Sequence, residues 1–504
     1  VTDGSFAFPE KNVVIIGSGI GGLSAGIILS MLGFEVTIIE KNRQPGGMMR
    51  SYNRSGIACN VGVHYLGSLD KGQMLYRLFD FLGVTGQIPV KRMGVSGVID
   101  RYYMDSILIP NGVFDMPEGL DAYEHNLHCA FPREQKQILL IMENLRSAAR
   151  KINSLEFLFA GQNDFEILDH SGPMGELLSH WHCSPGLRAV LGVPAAWMGV
   201  PLSDCPSFYH NMALSSYLLS SWRLTCSGAE MADVFAARFM SLGGQIITGD
   251  AANALLVNDR IATGVRLGSG RELRAPIIIG AVHPGTILGM LPEDAVRPSY
   301  RRRISRLENT HGISAVHVSV DAADHPALDH NIFKIQTHPD GNIADIIFYQ
   351  LRESEQKGRN LLSILLEGQD NLWERWTGSR TGCRGRDYQE AKTREAEKRI
   401  AEAKSLFGPM GDYQILDTYT PLTIRDWVGS PEGSAYGVQR SAKQILSAAL
   451  LNRTAVKGLF LAGQNVLAPG ILGTIMGSLV TVKFIIGPTW FKTVFSDLHE
   501  AGGI

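Results

Sequence analysis

Residues 12–16, NVVII, form a short apolar run that reads as a buried parallel strand. GSGIGG follows at once, placing Gly17, Gly19 and Gly22 in a G-x-G-x-x-G pattern. A helical pattern continues through LSAGIILSMLG, and a second strand, EVTII, ends at Glu40. Strand, glycine turn, helix, strand and acid in that order form a dinucleotide-binding unit. Gly17 permits the tight turn, Gly19 lets the backbone approach a pyrophosphate, and Gly22 lets helix and strand pack closely. Glu40 can accept hydrogen bonds from a ribose diol, and its charge disfavours a 2′-phosphate, hence NADP. Lys41 beside it joins the expected cofactor-binding set. A second glycine pair, Gly46 and Gly47, allows a further close backbone approach, useful for a cofactor longer than its adenylate half.

A second stretch must be positioned against this turn. Residues 459–482, LFLAGQNVLAPGILGTIMGSLVTV, carry no charge. About 20 apolar residues suffice to cross a membrane. Yet Gln464, Asn465 and Pro469 lie inside the tract, with glycines at 463, 470, 473 and 477. It reads as a strand, a glycine turn and a helix, buried against a ligand that meets free helix N–H groups. Gly463, Gln464, Asn465, Gly473 and Thr474 are the expected contacts.

The bulk composition narrows the class. A chain of 504 residues exceeds one ordinary core, so two or three domains are expected. A net charge of -2 gives no support for nucleic-acid binding. The six cysteines, at 59, 129, 183, 205, 226 and 383, show neither metal nor redox spacing, which favours a reducing compartment. His180 and His182 flank Trp181 without an acid or cysteine pattern, so no metal is expected. VTDGSFAFPEKN has no signal-peptide pattern; a cytoplasmic location is expected, with a removed presequence left open because the first residue is not Met.

VVIIGSGIGGLSAGIILSMLGFEVTIIEKNRQPGG resembles the FAD fingerprint of the phytoene desaturase, carotenoid isomerase and retinol saturase superfamily, within the wider amine-oxidase-like flavoproteins. KGLFLAGQNVLAPGILGTIMGSLV resembles the C-terminal FAD motif of that group. NVGVHYLG, residues 60–67, and SAYGVQRS are closest in pattern to the retinol saturase and carotenoid isomerase branch. The resemblance implies an α/β fold, with a Rossmann-like FAD domain of the amine-oxidase type built from discontinuous segments and an inserted α+β substrate domain. The segments expected are 1–85, 226–290 and 440–504 for the FAD domain, and 86–225 and 291–439 for the substrate side. The resemblance also brings His64, Tyr65, Thr423, Arg425, Tyr436 and Gly437 towards the flavin, with His64, Tyr65, Tyr436 and Arg425 as the catalytic set. Val257 resembles a position whose backbone touches adenine, while His283 stands where the family often has a small polar residue. The implied reaction is saturation, desaturation or cis–trans isomerisation of a retinoid- or carotenoid-like polyene, with saturation preferred. An external electron donor and peripheral membrane contact are the further partners expected; oligomeric state is unreadable. Sequence chemistry alone also permits amine oxidation or a non-catalytic lipid- or partner-binding flavoprotein.

Between the ends, MLYRLFDFLGV reads as a short amphipathic helix, and DSILIPNGVFDMP as two strands joined at Asn111-Gly112. Pro132 marks a helix start or break. The uncharged stretch 205–222 reads as a core or tunnel helix, with a lipid-facing surface as the alternative. HGISAVHVSVD and NIFKIQTHPDGNIADIIFYQ alternate as strands, and RDYQEAKTREAEKRIAEAKSLFG reads as a solvated amphipathic helix.

Overall fold

The computed structural model describes residues 10–159, 172–368, 370–448, 451–496 and 498. It begins with the expected βαβ unit: β1 (Asn12–Ile16), α1 (Ile20–Met31) and β2 (Glu35–Glu40). The chain returns to this unit with α2 (Gly228–Ser241), β3 (Gln245–Thr248) and β4 (Ile277–Gly280). It returns again with β5 (Leu459–Leu461) and α3 (Gly470–Ile486). The five strands lie in the order β3-β2-β1-β4-β5, every pair parallel. A parallel sheet is covered on both faces, which is why its strands are near-continuous apolar runs. α1 packs against both α2 and α3, and every residue from Ile20 to Leu29 is buried. Ser227 and Glu230 close a capping box that fixes the start of α2.

The tract 459–482 is therefore a strand, a turn and part of a 17-residue helix inside the fold. Among the described residues no helix is long and apolar enough to cross a membrane.

A seven-stranded sheet forms the other half. Its order is 413–419, 313–321, 359–367, 343–353, 331–337, 100–103, 113–116. All pairs are antiparallel except Asn331–Thr337 with Asp100–Tyr103. The period of two divides the faces. Ile347, Tyr349 and Leu351 meet Ala396, Ile400 and Ala403 of the charged helix Gly385–Phe407. Ile346 and Phe348 belong to the opposite face, with the helix Ser207–Leu219 in the same cluster. No residue of that helix is exposed, so the uncharged stretch is an internal wall and not a lipid-facing surface.

One local expectation differs. The hairpin pairs Asp100–Tyr103 with Val113–Met116, and residues 105–109 form no strand. Asp105 accepts from Ile107 N at 3.1 Å and Leu108 N bonds to Asp105 O, a side-chain-directed turn that competes with strand pairing. Asn111 and Gly112 do take positive φ, 59° and 67°. The break at Pro132 separates helices Leu120–Ala130 and Gln135–Ser154.

Candidate active site

The GSGIGG turn is clamped from two sides. Gly46 N donates to Ser18 O at 3.0 Å, and Gly19 pairs with Gly46 as an isolated parallel bridge. From the far end of the chain, Ser478 Oγ donates to Gly21 O at 2.8 Å, across 457 residues. A Cβ on Gly21 would lie 2.7 Å from Gly463 Cα, and one on Gly22 only 2.0 Å from Gly17 O. Gly22 thus sits where α1 leaves β1 in direct backbone contact, and Gly17 turns the chain at φ +100°.

These contacts leave a cradle with free donors. Neither Gly19 at the start of α1 nor Pro469 at the start of α3 supplies a side-chain cap, and Ile20, Gly21, Gly470 to Thr474 all line the same cavity. Uncapped helix N-termini offer N–H groups to phosphate oxygens. Glu40 is buried at the end of β2, where it accepts from Ser18 N (3.1 Å), Ser18 Oγ (2.6 Å), Asn42 N (2.9 Å) and Asn42 Nδ2 (2.8 Å). A glycine cradle, two helix ends and a held carboxylate fit the phosphates and ribose of a dinucleotide.

The cavity continues to an aromatic end. Tyr65 lies 4.5 Å from Tyr217 and 6.3 Å from Phe348, centroid to centroid. Trp197 meets Tyr217 at 5.0 Å, and Phe333 meets Phe348 at 5.1 Å. All five rings line the cavity, with Ile313, Ile346 and Leu365. Among the described residues, Glu367 is the one acid besides Glu40 that lines the cavity, and it is held by His311 Nε2 at 3.1 Å. Burial opposes the imidazolium of His311, but the Glu367 carboxylate outweighs it and raises the pKa. Such a wall suits an apolar ligand, because unpaired charge there would be costly.

Electrostatics sort the titratable groups. Burial, helped by His317 and Arg352, pushes His64 down to about 3, so its imidazole is neutral at physiological pH. Burial holds the Tyr65 and Tyr436 hydroxyls protonated, well above the ordinary tyrosine range. Behind Tyr65 lies Asp100, fully buried, whose Oδ2 accepts from Tyr65 Oη at 3.2 Å and whose Oδ1 accepts from Asn331 Nδ2 at 2.9 Å. Burial raises it to about 7. Gln350 Nε2 ties this group to the site by donating to Asn331 Oδ1 (3.2 Å) and His64 O (3.0 Å).

The structure gathers most of the residues singled out by sequence. Gly17, Gly19, Glu40, Gly46, Gly47, Gly463, Gln464, Asn465, Gly473 and Thr474 line one cavity with His64, Tyr65, Tyr436 and Gly437. Gly22 is beside it as a packing residue. Lys41, Val257 and Arg425 lie away from the lining. Lys41 is exposed and reaches Asp426 O at 3.2 Å, because a residue after a buried Glu40 points to the opposite side. Val257 sits in the antiparallel strand Ala252–Asn258, paired with Ala262, and packs with the third core cluster. Arg425 turns outwards: it donates to Ser379 O at 2.6 Å and to Thr377 O, and pairs with Asp426 at 2.9 Å, so it staples a loop and does not face the cavity. Thr423 closes a capping box with Thr420. His283 is a cap as well, with Nδ1 accepting from Gly285 N at 3.0 Å and Nε2 next to Asn309 Oδ1 at 2.8 Å. His180 and His182 are exposed.

Sequence reading missed Ser18, Asp100, Asn331 and the aromatic wall. An acid between the apolar Ile99 and the aromatic Tyr102 and Tyr103, beside Arg101, was the available signal for Asp100.

A doubly covered parallel sheet with a glycine cradle at its strand ends, joined to a second sheet over an apolar cavity, is a Rossmann-like fold of the amine-oxidase type. Residues 15–82 match the model of the NAD(P)-binding Rossmann-like domain. An oxidoreductase from Methanosarcina mazei shares the fold, with a TM-score of 0.66 at 14% identity over 94% of this chain and 100% of its own. All-trans-retinol 13,14-reductase of Macaca fascicularis is 23% identical over 98% of this chain and 88% of its own length. A 4,4'-diapophytoene desaturase of Methylomonas sp is 25% identical over 67% of this chain and 68% of its own. The chain is similar along most of its length to members of the phytoene desaturase and retinol saturase superfamily.

Proposed function

We propose that the protein is an FAD-dependent oxidoreductase that saturates a carbon–carbon double bond of a hydrophobic conjugated polyene, of retinoid or carotenoid type. The observation that carries this reading is the single cavity that runs from the phosphate cradle of Gly19, Gly46 and Gly463 to the rings of Tyr65, Trp197 and Phe348. The second glycine pair and the second helix N-terminus, that of α3, support a cofactor with a pyrophosphate and a further ring system, as in FAD. Glu40 would hold its ribose, the ends of α1 and α3 its phosphates, and the segment Gly463–Asn465 the approach to its ring. Bound flavin supplies hydride chemistry at carbon.

The chain's own side chains do the rest. The aromatic wall excludes water and aligns an extended apolar chain. Neutral His64 cannot donate as an imidazolium, so the proton carriers on the wall are tyrosine hydroxyls, Tyr65 and Tyr436 with Tyr217 beside them. Such polyenes reside in membranes, so the protein meets a membrane peripherally and receives electrons from an external donor.

Anaerobic incubation of the FAD-loaded protein with dithionite and a retinoid or carotenoid tests this. A product heavier by two hydrogens is expected. A product of unchanged mass with altered geometry would assign isomerisation, and one lighter by two hydrogens, formed by the oxidised protein, desaturation. Turnover of amines alone would overturn the polyene reading.

A further inference from the structure

Asp100 is an unusual acid to find where it is. It opens the strand Asp100–Tyr103, fully buried, at the edge of the aromatic end of the cavity. Its two oxygens have two neutral partners, Tyr65 Oη and Asn331 Nδ2. Arg223, the cation whose charge acts on it, does not bond it: the guanidinium donates to Asn331 Oδ1 (3.0 Å), Leu328 O (2.7 Å) and His330 O (3.3 Å). Tyr102 and Tyr217 are the other titratable groups that face it. Among the described residues no ion pair fixes its charge, so protonated and ionised forms are both within reach.

We infer that Asp100 is a positioning residue that stores the proton delivered to substrate by Tyr65. The inference rests on the saturase reading above. When Asp100 is ionised, the Tyr65 hydroxyl donates to Oδ2 and its proton is turned away from the cavity. When Asp100 carries a proton, the hydrogen bond reverses: the carboxyl O–H donates to Tyr65 Oη, and the phenol proton is released to face the ligand. The polyene would gain one new C–H bond by taking a hydride, which bound reduced flavin would supply. The electron pair of the double bond takes the Tyr65 proton at the neighbouring carbon, breaking the phenol O–H. The Asp100 O–H breaks in turn and restores the phenol, leaving a carboxylate. Water admitted after product release returns that proton through Tyr65, and an external two-electron donor of the nicotinamide or dithionite class restores the cofactor. Burial that lifts Asp100 to about 7 makes both forms available near neutral pH.

The test uses FAD-loaded full-length protein with dithionite as reductant, comparing wild type, Asp100→Asn, Tyr65→Phe and the double variant. General acid catalysis is worth about a hundredfold or more, so each single variant should lose that factor in polyene saturation. The double variant should lose no more than either single one, because both act on one path. Wild-type turnover should fall as pH rises through about 7, and Asp100→Asn should lack that limb. A substrate-free readout is the infrared carboxyl signal between about pH 6 and 8, expected in wild type and missing in Asp100→Asn. Asp100→Asn with wild-type turnover and pH profile, losses that multiply in the double variant, or no carboxyl signal at about pH 6 would each overturn the inference. If wild type saturates no polyene, the functional reading itself falls and takes the inference with it. If wild type is active and Asp100→Asn matches it, only the inference falls.

Discussion

Replacing Gly22 with alanine puts one methyl group where the molecule has no room. The new Cβ would lie 2.0 Å from Gly17 O, 3.1 Å from Gly17 C and 3.2 Å from Ala281 Cβ. Carbon and oxygen approach comfortably at roughly 3.3 Å, so α1 must retreat from β1 by about 1 Å. The obstacle is backbone, so no rotamer change relieves it. Overpacking of this kind costs about 1–3 kcal/mol. The displaced segment, Gly19 to Gly21, is the one that lines the phosphate cradle. A shift worth about 2 kcal/mol there should weaken binding of the dinucleotide, FAD on the proposed reading, roughly 30-fold. Titration of apoprotein into FAD, read by flavin fluorescence, measures this directly. The melting temperature of the apoprotein separates lost affinity from lost folding. Gly289→Ala is the companion: its Cβ meets nothing within 4 Å, it is exposed, and it sits in the helix Pro284–Met290. Alanine there should leave FAD affinity unchanged and add about 0.5–1 kcal/mol of stability. Gly22→Ala with wild-type affinity would refute the argument that this glycine sets the cradle.

Other perturbations separate the parts of the site. Glu40→Ala removes the carboxylate at the end of β2, and FAD affinity should fall about tenfold to a hundredfold for charged hydrogen bonds worth about 1.5–3 kcal/mol, as calorimetry will show. Arg425→Ala should cost only about 1 kcal/mol in chemical denaturation, since its staple is partly exposed, and FAD affinity and turnover should stay at wild-type values. His64 and His317 are lowered to about 3 and about 4 in the folded protein by burial. The unfolded chain therefore binds more protons below about pH 6.5, so their stabilisation is intact above that pH and is lost as pH falls towards 3; His317→Gln should flatten this slope in melting curves. Asp100 has the opposite sign: its raised pKa lets the folded protein hold a proton the unfolded chain has lost, so its contribution is full below about pH 4 and is lost as pH rises to about 7, and Asp100→Asn should melt close to wild type near pH 4 and higher than wild type at alkaline pH.

Legibility of the fold followed the range of the interactions. The βαβ unit was readable because strand, turn, helix and acid lie within 29 residues and each obeys a local rule. The tract 459–482 was readable because its glycines and proline contradict a membrane helix. Lys41, Val257 and Arg425 were misplaced because a side chain's facing depends on packing that composition does not carry. Lys41 is one residue from the buried Glu40, and Arg425 two from Thr423, yet the fold sends the first to Asp426 O and the second to the carbonyls of 377 and 379. Asp100 escaped because its partners, Tyr65 and Asn331, stand 35 and 231 residues away. The aromatic wall is similarly assembled from rings at 65, 197, 217, 333 and 348, of which only Tyr65 carried a signal in its own neighbourhood.

The order β3-β2-β1-β4-β5 has a consequence for biosynthesis. β1 and α1 leave the ribosome first, but β5 and α3, which complete their surroundings, come last. At roughly 5–20 residues per second, a greasy segment such as Ile20–Leu29 waits on the order of half a minute to a minute and a half for its cover. The nascent chain therefore needs shielding by a chaperone or by its own non-native contacts. A transcript truncated shortly before residue 459 should yield aggregated, flavin-free protein even though the entire N-terminal fingerprint has been translated.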